Sequence, residues 1–190
     1  MDTQNVPCED IEGVSDVFIR AYFDDDDKKD TDTHFRCSSG AASFNYRLKF
    51  NVESPRKEPL LLVLQAWDFD LFSQNDYLCE WTLDLDELFK NVRLTQQPVT
   101  LNKKYYDNFL KKKLPADFRI EFKDDDTFLL STPDKDGKPI KLRLDLRIYP
   151  IVTAKNMVVG DGRNEPNMSP HLPPPVGRIE FSLNPFKMLA

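Results

Sequence analysis

Three carboxylates stand close together in the stretch Trp67-Asp68-Phe69-Asp70-Leu71-Phe72-Ser73-Gln74-Asn75-Asp76-Tyr77-Leu78. Two more, Asp10 and Asp16, lie six apart around Glu12-Gly13-Val14-Ser15. Short carboxylates on two loops have the chemistry of a cup for a hard cation. Ca2+ takes six to eight oxygens, many of them from Asp, at roughly 2.5 Å in a flexible geometry. The flanking residues are apolar: Ile11 beside Asp10, and Leu71 and Phe72 beside Asp70. Apolar loop tips are costly in water unless they enter a membrane or a partner. Two plainer readings stay open. The Asp residues could make local Asx turns, and the apolar tips could fold back onto the core.

Such loops need a scaffold, and the flanking sequence reads as β-strands. Residues 17–23 are β-branched and aromatic and stop at the acidic run 24–27, a solvated hairpin tip. Residues 43–50 alternate Phe44, Tyr46, Leu48 and Phe50 with polar neighbours. The run 60–67 is nearly all apolar, as a strand covered on both faces would be. Residues 78–85 alternate again, with Trp81 and Leu83 on one face; Trp67 and Trp81 are both expected in the core. Short strands are expected over 118–122 and 127–131. From Ile140 to Ile148, five apolar residues alternate with four charged ones, after a turn carrying Pro133, Asp134 and Gly137. Helix is expected only as one turn at 86–90 and over 103–113, whose lysines read as a solvated face. The segment 160–177, rich in Pro and Gly, reads as an extended linker. Turns every 8–12 residues between short strands predict an all-β, antiparallel sandwich.

Composition agrees. Asp outnumbers Glu by 23 to 9, and there are 14 Pro. Asp favours turns and caps, and Pro breaks helices. A net charge of −6 lacks the basic footprint of a nucleic-acid binder. Cys8, Cys37 and Cys79 are too few and too scattered for a disulfide scaffold or a zinc site. The first ten residues lack a signal-peptide pattern, and no apolar run is long enough to cross a bilayer. His34 and His171 have no metal-ligand spacing, and no GxSxG, HExxH, phosphate-loop or GxGxxG motif is present.

The loop from Asp68 to Leu78, with Ser15-Asp16-Val17-Phe18-Ile19, resembles the third and first calcium loops of a C2 domain. That resemblance implies Asp10, Asp16, Asp68, Asp70 and Asp76 as Ca2+ ligands. It implies Ile11, Leu71 and Phe72 as membrane-inserting residues, and a sandwich of about eight strands. The segment Gly162-Arg163-Asn164-Glu165-Pro166-Asn167-Met168-Ser169-Pro170 is similar to the juxtamembrane linker of ferlins. Thr31-Asp32-Thr33-His34-Phe35-Arg36-Cys37 and Phe44-Asn45-Tyr46-Arg47 resemble the second and third strands of the domain before that linker. The resemblance implies a C2 domain at 1–152 with an insertion around 95–117, then a juxtamembrane tail at 153–190. It also implies a C-terminal transmembrane anchor in the full-length protein, absent here.

There are departures. The chain begins almost at the first calcium loop, so the first strand is expected to be missing. Cys79 stands where the family usually has Gly, and 95–139 lacks an expected aromatic-proline segment. The resulting expectation is a non-enzymatic, Ca2+-dependent module that binds anionic phospholipid at the cytoplasmic face of a plasma or vesicle membrane. It would serve vesicle fusion, trafficking or membrane repair, with fusion-machinery proteins as further partners. A calcium-independent C2 domain used for protein interaction or spacing is the alternative. A metal-dependent transferase holding a nucleotide-sugar through Asp68 and Asp70 would need a basic phosphate clamp, and none lies near Asp68.

Overall fold

A computed structural model describes residues 1–8, 13–24, 26–56, 58–111 and 119–178. In chain order the elements are β1 (Asp2–Gln4), β2 (Ser15–Tyr22), β3 (Lys29–Asp30), β4 (His34–Cys37), β5 (Leu61–Asp68), β6 (Asp76–Asp84), α1 (Asp86–Thr95), β7 (Val99–Thr100), α2 (Lys103–Tyr105) running into a π-helical turn (Tyr106–Leu110), β8 (Arg119–Phe122), β9 (Phe128–Pro133), β10 (Pro139–Leu144), β11 (Arg147–Ile148) and α3 (Ile151–Asn156). All strand pairs are antiparallel. One sheet runs β1-β10-β9-β8, and the other runs β3-β2-β5-β6 with β4 also on β2. A small ribbon joins β11 to β7.

Alternation builds the core between the sheets. Leu62, Leu64 and Ala66 of β5 and Trp81 and Leu83 of β6 are buried, as are Ile140, Leu142 and Leu144 of β10. Phe44, Trp81 and Phe128 are the bulkiest fully buried side chains. The strand expected to be covered on both faces is covered on one. Leu61 is exposed, and Val63, Gln65 and Trp67 are half-buried. Trp67 is therefore not core. It lies under the Arg20 guanidinium, and its indole N–H donates to Gln65 at 3.1 Å.

Other local expectations are corrected too. The strand expected to be missing ahead of the first calcium loop is represented by β1, three residues paired with β10. The single alternating run from Ile140 divides into two strands. After Leu144 the chain leaves β9, and Leu146 accepts the Leu101 N–H at 2.9 Å. The turn expected at 86–90 extends to a ten-residue helix. It buries Leu88 and Val92, carries Asp86 and Glu87 at its positive end, and stops at a left-handed Gln96.

Residues 43–50 form no regular ladder beyond a bridge from Ser43 to Asp2. Their polar groups hold the Pro-rich segment 159–178, which lies along them as a strap without helix or strand. Arg47 donates to the carbonyls of Gly160, Met168 and Pro170, and Lys49 to that of Val159. The Gly162 N–H donates back to the Arg47 carbonyl at 3.0 Å. Gly162 has φ +60°, and a Cβ there would meet the Tyr46 ring at 2.6 Å, so only glycine fits. Asp32 closes the strap. Its carboxylate accepts a bidentate pair from Arg178 at 2.7 and 2.9 Å and a further contact from Arg163. Arg178 also reaches the Ser43 carbonyl and stacks on Phe44, and Arg163 stacks on Tyr46.

Candidate functional site

Three of the expected acids lie at one end of the β2-β5-β6 sheet. Asp68 closes β5 directly opposite Asp76, the first residue of β6, and opposite Val17 on its other side. Asp16 precedes Val17, where the β2–β4 register slips between Ser15 and Val17. A second slip falls between Ala66 and Trp67 on the β5–β6 side. Bulges bend and twist a strand locally, so both sides of the site are re-aimed at the same end of the sheet.

Asp68 is buried, and its Oδ1 accepts the Asp16 N–H at 2.6 Å. The Phe69 N–H returns to the Asp16 carbonyl at 2.8 Å. Asp16 Oδ1 accepts the Arg36 N–H at 2.7 Å, and Arg36 holds a left-handed φ of +54°. These two carboxylates therefore already stitch the start of β2 to β4 and to the β5–β6 loop. Asp70 lies two residues beyond Asp68, in a loop braced by its own N–H donating to Asn75 at 3.0 Å. Asp10 and Ile11 lie outside the described residues.

The donors are carboxylate oxygens, the chemistry that a hard divalent cation takes. Among the described residues, no three His, Cys, Asp or Glu form a group that could hold a metal ion. The donor chemistry fits; a closed cage is not formed by these residues alone.

The same end is apolar at its tip. Leu71 is 74% exposed and Phe72 is 97% exposed. Neither folds back onto the sandwich. Two aromatic residues that sequence reasoning passed over join them, Phe35 and Tyr77, both exposed. Phe35 meets Phe69 edge-on at 6.2 Å, and Tyr77 meets Trp67 at 5.6 Å. The signal for Phe35 lay in β4, where inward His34 and Cys37 bracket outward Phe35 and Arg36.

A family model described as C2 domain matches residues 1–101, more than half of the chain. The chain belongs to the C2 domain family. This C2 chain is 30% identical to myoferlin of Xenopus tropicalis over 192 aligned residues, covering 86% of this chain and 10% of that protein. It is 30% identical to ferlin 1 of Toxoplasma gondii over 173 residues, covering 88% of this chain and 10% of that protein. Myoferlin of Mus musculus is 28% identical over 204 residues, with 92% of this chain and 10% of that protein covered. The C2 chain thus spans about a tenth of the length of the curated relatives it matches. Among the described residues, no helix is long and apolar enough to cross a membrane.

Proposed function

We propose that this C2 chain is a calcium-dependent phospholipid-binding module of a ferlin-like protein that works in membrane fusion, vesicle trafficking or repair. One observation carries the reading: Asp16, Asp68 and Asp76 lie at the sheet end whose tip exposes Leu71 and Phe72. Asp16, Asp68, Asp70 and Asp76, with Asp10, would hold the cation. When bound, Ca2+ supplies positive charge and open coordination positions for lipid phosphate oxygens. The chain's own residues do the rest. Asp16 and Asp68 set the spacing of the loops through their backbone bonds, and Leu71, Phe72 and Ile11 enter the headgroup region. Residues 1–152 form the C2 unit, and 153–190 are the membrane-proximal tail of a longer, anchored protein at the cytoplasmic face. The module binds and does not catalyse.

A second reading has its own support. Asp16 and Asp68 already accept backbone N–H groups, so the loops are tied without a cation. On this reading the domain binds a protein or serves as a spacer, independent of calcium.

Co-sedimentation with phosphatidylserine–phosphatidylcholine vesicles, with calcium or with chelator, separates the two. Calcium-dependent pelleting that is lost in the double variant Asp70→Asn, Asp76→Asn is the expected result. Pelleting that ignores both calcium and that variant refutes the calcium mechanism.

A further inference from the structure

The base of the first loop is stitched to the turn that follows β4. The Val6 N–H donates to the Gly40 carbonyl at 3.0 Å. Gly40 has φ +66°, and a Cβ there would lie 2.5 Å from the Val6 oxygen, so the two backbones are in direct contact. Ser15 Oγ donates to the Pro7 carbonyl at 3.2 Å, and Ser15 is paired with Cys37. Within this seam the half-buried Cys8 thiol donates to the Cys37 carbonyl at 3.3 Å. Two cysteines 29 residues apart in sequence are thereby neighbours in space.

We propose that Cys8 and Cys37 form a redox-sensitive dithiol whose oxidation to a disulfide clamps the chain just ahead of the first loop to the end of β4. The pair is asymmetric. Cys8 is partly accessible to a small oxidant, whereas Cys37 is buried. With glutathione disulfide as oxidant, the Cys8 thiol gives up its proton and attacks one sulfur. This forms a mixed disulfide and releases one glutathione thiol. The Cys37 sulfur then attacks Cys8 Sγ, its proton passes to the departing glutathione, and the protein disulfide closes. Two protein thiols are oxidised, and one glutathione disulfide is reduced to two thiols. Burial pushes the Cys37 thiol up, which slows this second step. Backbone contacts with Ser39, Gly40 and Ala41 oppose that effect by favouring the thiolate. The Cys8 thiol already lies against the Cys37 main chain. Cys79 stands apart on β6 opposite Ala66, buried and with its thiol pushed up to about 12, so it stays out of the exchange.

The clamp would bear on cation binding because Cys37 follows Arg36, whose N–H is held by Asp16. That consequence rests on the proposed function; the dithiol does not.

The test incubates the full 190-residue chain in glutathione redox buffers without calcium, traps remaining thiols, and maps peptides without reduction. The expected product has lost two hydrogens and carries a Cys8–Cys37 cross-link, with Cys79 unmodified. Cys79→Ser gives the same product. Cys37→Ser stops at glutathione on Cys8, and Cys8→Ser yields no intramolecular bond. A parent chain that accumulates glutathione on Cys8 without passing it to Cys37, or that links only between molecules, overturns the proposal. The vesicle assay on reduced and oxidised chains then reads the consequence separately. A calcium response absent from both forms refutes the calcium reading and leaves the mapped disulfide standing.

Discussion

Neutralising Asp32 should open the strap without unfolding the sandwich. The Asp32 carboxylate accepts two hydrogen bonds from Arg178, at 2.7 and 2.9 Å, and a third contact from Arg163. Burial alone would raise its pKa. The hydrogen bonds and charges of Arg178 and Arg163 outweigh that and hold the carboxyl below its ordinary value. A hydrogen bond to a charged group contributes about 1.5–3 kcal/mol, and an exposed ion pair about 0–1 kcal/mol. The Asp32 side chain is 30% exposed and that of Arg178 is 16% exposed, which places the cluster between those limits. Asp32→Asn keeps the shape and one carbonyl oxygen, and both arginines keep their backbone partners Phe44 and Ser43. The expected loss is about 2 kcal/mol in strap closure, or roughly a 30-fold rise in the open fraction. Hydrogen exchange followed by mass spectrometry reads it peptide by peptide. Peptides within 159–178 should exchange faster by that factor while β5 and β6 stay protected. Unchanged strap exchange would refute the latch. An equal loss of protection in β5 and β6 would mean that Asp32 holds the whole sandwich.

Phe72 is 97% exposed, so Phe72→Asp should leave stability within about 0.5 kcal/mol by urea denaturation. The same variant should lose vesicle pelleting in calcium. Leu130 is fully buried between the sheets, and Leu130→Ala should cost about 3 kcal/mol, read as a lower urea midpoint with unchanged slope. His34 is buried, and its Nδ1 accepts the Ser43 N–H at 3.0 Å. Burial, then the Arg178 cation, lower its pKa below the ordinary 6.5. The unfolded chain therefore takes up the proton first as pH falls. The stability contributed by neutral His34 is complete above that ordinary value and is lost as pH drops through it toward the folded value. The urea midpoint should be lower at pH 5.5 than at pH 7.5, and the difference should shrink in His34→Gln.

The sandwich was legible wherever one face is buried, because a period of two then survives in the sequence. Residues 78–85 and 140–144 show it plainly. The run 60–67 misled because Leu61, Val63 and Trp67 are apolar yet lie on the outer face, where Arg20 and Tyr77 cover Trp67. The helix after β6 was read too short. Its anchors Leu88 and Val92 are only two, and Leu85 at its start offers no side-chain cap. The candidate acids were picked out by residue type and spacing alone. That Asp16, Asp68 and Asp76 share one sheet end was not legible, since it depends on the pairing of Asp68 with Asp76 and on the Asp16 bond across 52 residues. The strap was hidden for a related reason. Pro-rich composition reports local backbone preference, whereas Asp32 and Arg178 meet across 146 residues.

The strap also sets a mechanical load path. Tension applied to the chain beyond Arg178 would reach the guanidinium–carboxylate latch at Asp32 first. It would next reach the Arg47 and Lys49 contacts, then α3, β11 and β10, and only after them the ladders of β2, β5 and β6. Those polar contacts would yield one after another, as a peel. The strap would therefore act as a fuse: it lengthens under load while the end bearing Asp16, Asp68 and Asp76 keeps its shape.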